Sequence, residues 1–397
     1  MRHAEIAGAG IAGLTIATAL ALRGWSVRVH ERAPELRDIG VGTSIWSNGR
    51  RALAAIGALD DVLRAGTKIV RIEVRDHRQR ALRVDDLDQG DASGLVILRV
   101  DLHRALVDAA RRAGVEIETG SAAAGADPHG ALITVDGARH EADLVVGADG
   151  FNSRVRESLG LTEYAGFVTD AHIGRATTPR LDRNSPGSIR EYWAGTRCCG
   201  VLSCGDLDYM FLSAPEGCPR NPEEVRTCSL AAEAWSADFP WLAERFRAVA
   251  AKGGVIWGRY PLVRCSAWSA GRVALVGDSA HGMPSTLAQG AGCAMANGLA
   301  LAEKAADAEA ADMTALLSAW EREERPVTEV TQRWAVLYLT LIKRWPDELR
   351  DMRAAMVAEA FAEPGIVRHF ASAARHRVNF SSPLHAGSAA PPGTAVS

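Results

Sequence analysis

Short apolar segments alternate with longer amphipathic segments along the first part of the chain. Residues 4–7 and 24–31 have the apolar character of strands, and a helical pattern runs between them from Leu14 to Arg23. A second clear helix is predicted over residues 100–114. Because strands that alternate with helices build a parallel sheet, this pattern predicts an α/β fold for the N-terminal region.

The pattern changes between about residues 165 and 264, where the sequence becomes irregular, β-rich and aromatic. Residues 69–98 also consist of short alternating strands. Strand and helix sequence resumes at residue 271, and helices are predicted over residues 297–361. We therefore expect an α/β (α+β) protein: a Rossmann-like domain interrupted by a β-rich insertion and followed by C-terminal helices.

These changes in pattern also define the expected domain boundaries. The nucleotide-binding domain is discontinuous, because the insertion divides it. The expected boundaries are residues 1–70, 98–165 and 265–345 for the nucleotide-binding domain, 71–97 and 166–264 for the β-rich domain, 346–380 for a C-terminal helical segment, and 381–397 for a disordered tail.

The composition is that of an ordinary globular protein and excludes several classes of partner. Of the 397 residues, 47% are hydrophobic and 23% are charged, and the formal net charge is −3 without blocks of like charge. Nucleic acid and membranes are therefore not expected as partners. The longest apolar runs fall below the ~20 residues of a membrane span. An immediate N-terminal strand leaves no room for a signal peptide, so a cytoplasmic protein is predicted.

The seven cysteines do not follow a metal-binding pattern. No C-x-x-C pair occurs, and Cys198, Cys199 and Cys204 cluster without a fourth ligand at a suitable spacing. We expect reduced thiols in or near a core, and no metal site.

The first strand, helix and second strand form a βαβ unit with G-x-G-x-x-G at its first turn. Gly8 suits the tight turn, Gly10 lets the backbone approach a pyrophosphate, and Gly13 lets helix and strand pack closely. The helix N-terminus offers N–H groups to phosphates. Glu31, eighteen residues after Gly13, can accept hydrogen bonds from a ribose diol. The unit predicts an ADP-containing ligand, either NAD or FAD; a purely structural glycine-rich turn is the alternative.

Three distant segments share one form, an apolar strand that ends in glycine beside a short acid or a second glycine. They are "AEIAGAGIAG" at residues 4–13, "ADLVVGADG" at 142–150 and "RVALVGDSAH" at 272–281. Ligands of open parallel sheets collect at the carboxyl ends of the strands. Three such ends suit one long dinucleotide that carries a second ring system better than they suit NAD.

This combination resembles the group A flavoprotein monooxygenases, the single-component FAD-dependent aromatic hydroxylases with the p-hydroxybenzoate hydroxylase fold. The resemblance runs from residue 4 to about residue 335. Its motifs are GAGIAG (8–13), GADGFNSRVR (147–156), GDSAHGMPSTLAQGAG (277–292) and WEREERP (320–326). Within the family, the segments GWSVRVHE, GALDDVL and LAQGAGCAM are similar to those of oxygenases that act on pyridine carboxylates.

The resemblance implies non-covalent FAD and a set of residues that hold it. The N-terminal glycine loop and Glu31 would hold the ADP half, Arg99 the phosphate or ribityl region, and Asp278 the ribityl hydroxyls. The helix that begins at Gly290 would direct its N-terminus at the pyrimidine edge of the flavin. The complete expected set is Gly8, Gly10, Ala12, Gly13, Glu31, Arg32, Arg99, Asp149, Gly150, Gly277, Asp278, Gly290, Ala291 and Gly292.

The third motif departs from much of the family near the reactive edge of the flavin. The family has a proline four residues after the motif's histidine, whereas Pro284 follows His281 by three residues and Ser285 takes the fourth position. His281 and Pro284 are the candidates for catalytic residues. A role of His281 in shaping the loop is the favoured interpretation.

The resemblance also implies a substrate site between the flavin and the β-rich domain. Arg197 and Tyr209 match positions where the pyridine-carboxylate oxygenase places an arginine and a tyrosine beside its substrate. A guanidinium can hold a carboxylate or ring oxyanion, and a phenol can hydrogen-bond a ring hydroxyl. A surface ion pair for Arg197 and a core position for Tyr209 are the alternatives. Trp46 is a further candidate lining residue.

The implied reaction uses NADH or NADPH as a transient co-substrate and O2 to hydroxylate a small aromatic acid through a flavin hydroperoxide. A pyridine-type carboxylate is favoured, with NADH as the donor and pyridine catabolism as the setting. A benzoate- or salicylate-type substrate, an epoxidase or reductase on the same fold, and a nucleotide-binding protein without turnover are the alternatives. The protein is expected to be a monomer or a homodimer.

Overall fold

The computed structural model describes residues 1–37, 40–87, 94–215, 221–307 and 313–378. The strands are β1 His3–Ala7, β2 Ser26–Glu31, β3 Gly42–Ile45, β4 Thr67–Ile69, β5 Arg71–Asp76, β6 Ala81–Asp86, β7 Gly94–Leu98, β8 Glu116–Thr119, β9 Ala123–Asp127, β10 Ala131–Thr134, β11 Arg139–Glu141, β12 Leu144–Gly147, β13 Thr162–Pro179, β14 Ser188–Ala194, β15 Arg197–Cys204, β16 Leu207–Ala214, β17 Ile256–Cys265, β18 Ser269–Ala270 and β19 Val273–Leu275. The helices are α1 Ile11–Ala21, α2 Ser47–Ala55, α3 Leu59–Ala65, α4 Arg99–Arg112, α5 Arg154–Ser158, α6 Asn221–Thr227, α7 Ala232–Asp238, α8 Ala243–Lys252, α9 Asp278–His281, α10 Gly290–Asp307, α11 Met313–Lys343, α12 Arg350–Ala362, α13 Pro364–Phe370 and α14 Ser372–Arg375.

A six-stranded sheet in the order β18-β19-β12-β1-β2-β8 forms the centre of the nucleotide-binding region. Its neighbours pair in parallel except for β18. Ile6, Val29 and Val146 are fully buried in it, as expected for a parallel sheet whose faces are covered. Because β19, β12 and β1 are adjacent and parallel, the three glycine-containing strand ends lie at the same edge of the sheet.

A seven-stranded sheet in the order β17-β13-β16-β15-β14-β5-β6 forms the second layer. Its strands are antiparallel, except that β5 and β14 pair in parallel. Met210 and Leu212 pack against the aromatic residues of α7 and α8, and we call this side the helix-covered face. Because side chains alternate along a strand, Tyr209 and Phe211 point to the opposite side, which we call the cleft face.

The prediction of irregular, β-rich sequence over residues 165–264 was wrong for residues 221–252, which form α6, α7 and α8. The helical signal was present in the sequence. Trp235, Phe239, Leu242, Phe246 and Val249 recur at intervals of three and four residues, and all five are buried in one cluster. These residues form an apolar face that covers the sheet.

The C-terminal helices predicted over residues 297–361 are present with different limits. The first, α10, begins at Gly290, and α11 ends at Lys343 before α12 begins at Arg350. Helix continues beyond residue 361 as α13 and α14, whereas the tail predicted over residues 381–397 lies outside the described residues. Among the residues that the structure describes, we find no helix with the length and apolarity needed to span a membrane.

Candidate active site

The turn between β1 and α1 requires glycine at two positions. Gly8 has φ +100°, and a Cβ there would lie 2.5 Å from the carbonyl oxygen of Ala148. A Cβ on Gly13 would lie 1.9 Å from the carbonyl oxygen of Gly8, so glycine lets the helix approach the turn. Gly10 has no atom within 4 Å of its Cβ position, which leaves open space in front of the helix N-terminus. This arrangement fits a pyrophosphate.

Glu31 is oriented beside this turn by two backbone amides. Its Oε2 accepts a hydrogen bond from Ala9 N (2.9 Å), and its Oε1 accepts one from Ala33 N (2.9 Å). Each carboxylate oxygen keeps a second lone pair for a ligand hydroxyl. The neighbouring Arg32 is exposed.

The second and third strand ends are joined by side-chain hydrogen bonds. Asp149 Oδ2 accepts hydrogen bonds from Arg154 N (2.7 Å) and Val155 N (3.2 Å) at the start of α5. Its Oδ1 accepts one from Ser279 Oγ (3.2 Å), which in turn accepts one from Gly150 N (3.0 Å). The structure therefore gives Asp149 a structural role in holding this edge together. Gly150 has φ +81° and open space at its Cβ position.

Asp278 follows β19 and is exposed at this edge of the sheet. Gly277 before it has φ +66°, and a Cβ there would lie 2.8 Å from the Cβ of Ala12. Although solvent reaches Asp278, protein atoms surround it, and this desolvation raises the pKa of its carboxyl group. The positive charge of Arg99 opposes that rise. The Arg99 side chain passes over Gly40, whose Cβ position lies 2.4 Å from Arg99 Cδ.

Two buried polar atoms beside the N-terminus of α10 have no hydrogen-bond partner in the described part of the chain. These atoms are Asn48 Nδ2 and Gln289 Oε1. A Cβ on Gly292 would lie 2.6 Å from Asn48 Oδ1, so glycine at this position leaves room for the Asn48 amide. An unpaired buried donor and acceptor beside a helix N-terminus fit the polar edge of a flavin. The family resemblance indicated Gly290, Ala291 and Gly292 here but not Asn48.

His281 is buried behind this loop. With the Asn297 amide oriented to satisfy its neighbours, His281 Nε2 donates to Asn297 Oδ1 (3.0 Å). The imidazole packs beside Trp268, with ring centroids 5.1 Å apart. Burial lowers the pKa of His281 to about 4, so the ring is neutral near pH 7. These contacts support the loop-shaping interpretation. Pro284, also buried, immediately precedes the short 3-10 helix Ser285–Leu287.

Tyr209 lies on the cleft face and contacts the start of β3. Its ring lies against Gly42, whose Cβ position is 2.7 Å from Tyr209 Cγ. Burial raises the pKa of Tyr209, and the positive charge of the nearby Arg175 opposes this rise. Arg175 Nη2 also donates to Ser285 Oγ (3.2 Å), in the loop that follows His281. Arg175 therefore connects Tyr209 with this loop, a role that no sequence motif indicated.

The structure does not bring Arg197 together with Tyr209. Leu202 pairs directly with Tyr209, and the odd spacing from Leu202 to Arg197 turns Arg197 toward the opposite, helix-covered face. There its guanidinium forms an ion pair with Asp238 and lies 5.2 Å from the ring of Trp235. These contacts agree with the ion-pair alternative for Arg197.

Trp46 precedes α2 and lies against β7. Its ring fills the space that a side chain at Gly94 would occupy, because Cζ3 lies 2.7 Å from that Cβ position. The indole Nε1 is buried and has no partner among the described residues. The Trp46 ring is therefore packed against β7, and its indole N–H is available to donate a hydrogen bond to a ligand.

Comparison with known proteins places these features in a family. Residues 3–335 match a family described as an FAD binding domain. The chain is 38% identical over 356 residues to the 2-heptyl-3-hydroxy-4(1H)-quinolone synthase of Mycobacteroides abscessus, with 88% of this chain and 92% of that relative covered.

Two further similarities concern other aromatic substrates. The chain is 32% identical over 305 residues to the 3-amino-4-hydroxybenzoate 2-monooxygenase of Streptomyces cremeus, covering 73% of this chain and 75% of the relative. Its fold matches the tetrameric form of 2-methyl-3-hydroxypyridine-5-carboxylic acid oxygenase with a TM-score of 0.81 and 32% identity. That match covers 95% of this chain and 98% of the oxygenase.

Proposed function

The chain belongs to the FAD binding domain family and is an FAD-dependent aromatic monooxygenase, and we propose that it hydroxylates a small nitrogen-containing aromatic ring with NAD(P)H and O2. The similarity to a 4(1H)-quinolone synthase and to a 3-hydroxypyridine carboxylic acid oxygenase supports this substrate class, because both ring systems contain a ring nitrogen. A pyridine carboxylate, favoured by the sequence, is one member of the class.

The joined strand ends of the parallel sheet are the observation on which this proposal depends. We propose that Gly8, Gly10, Gly13 and Glu31 hold the ADP half of FAD, and that Asp278 binds its ribityl hydroxyls. FAD reduced by NAD(P)H supplies the activation of O2. The protein then has to bind the substrate, orient it and exclude water.

We propose that Tyr209 and Arg175 bind the polar group of the substrate ring. A phenol hydroxyl can donate to a ring oxygen or accept from a hydroxyl, and a guanidinium stabilises negative charge on that oxygen. Arg175 contacts the Ser285 loop, so it also links the substrate surface with the loop beside the proposed flavin position. Arg175 replaces Arg197 in this proposal, since Arg197 lies on the opposite face of the sheet.

The experiment compares three substrate classes with the purified, yellow protein. NADH and NADPH oxidation are measured with 4-quinolone, with pyridine carboxylates and with hydroxybenzoates, and the products are analysed by mass spectrometry. We expect stimulated oxidation with a nitrogen-containing ring and a product heavier by one oxygen atom. Stimulation only by hydroxybenzoates would contradict the proposed substrate class, and turnover without O2 consumption would indicate a reductase.

Several finer properties stay predictions. They are the preference for NADH, a role in pyridine catabolism, the cytoplasmic location, the oligomeric state and the domain boundaries. Comparing NADH with NADPH in the same assay and measuring mass by light scattering test two of them directly.

A further inference from the structure

Glu191 is an acidic residue on the cleft face with three donors directed at one of its oxygens. Oε1 accepts hydrogen bonds from Trp193 Nε1 (2.6 Å), Cys198 Sγ (3.3 Å) and the Tyr338 hydroxyl (3.4 Å). Three donors on one oxygen favour the ionised carboxylate and fix its orientation. Trp193 and Cys198 belong to the sheet, whereas Tyr338 belongs to α11. The carboxylate is therefore held between the sheet and the C-terminal helices.

The second oxygen of Glu191 is left for another donor. Among the described residues none donates to Oε2, and this atom is not one of the buried polar atoms closed to solvent. Glu191 is partly exposed although protein surrounds it, and burial raises the pKa of its carboxyl group. Solvent therefore reaches Oε2, which leaves room for a donor of a ligand. An oriented carboxylate oxygen without a protein donor is a specific acceptor for such a group.

The register of the sheet connects this oxygen with the proposed substrate site. Glu191 pairs with Gly200, Gly200 pairs with Phe211, and Phe211 pairs with Arg175. Directly paired residues point to the same face of a sheet, so these four residues form one row across the cleft face. Glu191 lies at one end of the row and Arg175 at the other. The Phe211 ring covers Gly200, with Cε1 2.0 Å from that glycine's Cβ position.

The neighbours of Glu191 also reach the loop beside the proposed flavin position. Trp193, Cys198 and Tyr338 belong to one apolar cluster, against which Phe211 and Leu287 pack. Leu287 lies in the same loop as Ser285, the partner of Arg175. Three strand spacings of about 4.8 Å separate the two backbones, so only a ligand that extends from Arg175 past the Phe211 ring would reach the acid.

We propose that Glu191 Oε2 accepts a hydrogen bond from the ring N–H of the substrate and so selects heteroaromatic rings that carry this proton. The proposal rests on the proposed function and narrows its substrate class to N–H tautomers such as 4(1H)-quinolones. An N-alkylated ring lacks the donor and would bring a carbon group against the carboxylate. The selection is by binding, because Glu191 receives no proton in this step.

The test uses 4-quinolone and its N-methyl derivative with wild-type protein, Glu191→Gln and Glu233→Gln. Dissociation constants are measured by equilibrium dialysis on the FAD-loaded protein without NAD(P)H, and kcat/KM is measured by NAD(P)H oxidation. Glu233 is an exposed acid on α7 and serves as the matched control. Flavin content and the thermal midpoint are recorded for each variant, since a structural role alone would lower both and weaken both ligands equally.

We expect the wild type and Glu233→Gln to prefer the N–H ring by about ten- to a hundredfold, the usual effect of a hydrogen bond to a charged group. Glu191→Gln should lose this preference and keep its affinity for the N-methyl ring. If Glu191→Gln keeps the preference, or if the wild type has none, the proposed role of Glu191 is wrong. These two outcomes do not affect the proposed function. Failure of the wild type to bind either ring would overturn the selection of N–H rings, and it would overturn the proposed substrate class as well if only hydroxybenzoates stimulate NAD(P)H oxidation.

Discussion

At the residue scale, backbone amides and burial determine what each polar side chain at the site can do. Both oxygens of Glu31 are positioned by the amides of Ala9 and Ala33, so its orientation is set before a ligand binds. Asp149 caps α5 and binds Ser279, so its carboxylate holds the site together. The two acids come from similar strand ends, and only their hydrogen-bond partners distinguish their roles.

We predict that neutral His281 makes stability depend on pH. Its folded pKa of about 4 lies below its ordinary value of 6.5, so the unfolded chain takes up the proton first as the pH falls. Its contribution is present above pH 6.5 and is lost toward pH 4, by up to about 3 kcal/mol. Urea unfolding from pH 7 to pH 4 should show a smaller loss in His281→Asn than in the wild type.

An exposed histidine provides the control for this measurement. His129→Asn changes an exposed residue and should leave the pH dependence of the wild type unchanged. Equal pH dependence in His281→Asn and the wild type would contradict a depressed pKa at His281. The kcat/KM profile of the wild type above pH 6 should show no titration from this residue, because it stays neutral there.

Arg197 and Arg175 show why residue type alone did not identify the substrate-site cation. Both are arginines on strands of the same sheet, and the family resemblance suggested Arg197, with a surface ion pair as the alternative. Arg175 comes from β13, which pairs with the Tyr209 strand β16, so the two residues meet only through strand pairing. A pairing between strands about thirty residues apart cannot be obtained from local spacing.

At the element scale, the start of α10 shows how two helices from distant segments bring polar groups together. The helix begins at Gly290, the position that the family resemblance implied. Its glycines let α2 approach so that the Asn48 amide fills the space beside Gly292. The glycine positions were evident in the sequence, whereas Asn48 was not, because α2 comes from a segment more than 230 residues earlier.

We predict that Gly292→Ala impairs FAD binding. A Cβ there would lie 2.6 Å from Asn48 Oδ1, so the amide or the helix N-terminus must move. We expect the dissociation constant for FAD to rise about tenfold or more, which corresponds to about 1.4 kcal/mol. The measurement is quenching of flavin fluorescence on titration of FAD with the apoprotein.

Gly298→Ala in the same helix is the matched control for helix propensity. Its new Cβ would lie 3.3 Å from the Cβ of Ile16, away from Asn48, and should leave FAD affinity near that of the wild type. Wild-type affinity in Gly292→Ala would show that the approach of α2 to α10 is not needed for the flavin site.

At the scale of the whole molecule, the C-terminal helices connect the two sheets across the cleft. Lys343, at the end of α11, is buried and donates to the carbonyl oxygens of Thr196 (2.6 Å) and Ser213 (2.9 Å) in the seven-stranded sheet region. Burial lowers the pKa of Lys343 to about 7. The same helix supplies Tyr338 to Glu191. Helix α11 is therefore a structural part of the proposed substrate wall.

We predict that Lys343→Met destabilises the protein by about 1–3 kcal/mol at pH 9, because two buried carbonyl groups lose their donor. The folded pKa of Lys343 lies below its ordinary value of 10.5, so its contribution is largest at high pH and falls toward pH 7. Urea unfolding at pH 7 and pH 9 should show the larger difference from wild type at pH 9. Lys304→Met, which removes a partly exposed ion pair with Glu323, should change stability little at either pH.

The sequence by itself determined the Rossmann-like unit, the three glycine-containing strand ends, the FAD family and the start of α10. These features are local, because each needs particular residues within one strand-turn-helix segment. Tertiary structure decided the place of Asn48 beside Gly292, the place of Arg175 beside Tyr209, the position of Arg197 and the orientation of Glu191. Each of these depends on which strand or helix lies next to another, and such contacts between distant segments arise only when the sheets and helices pack.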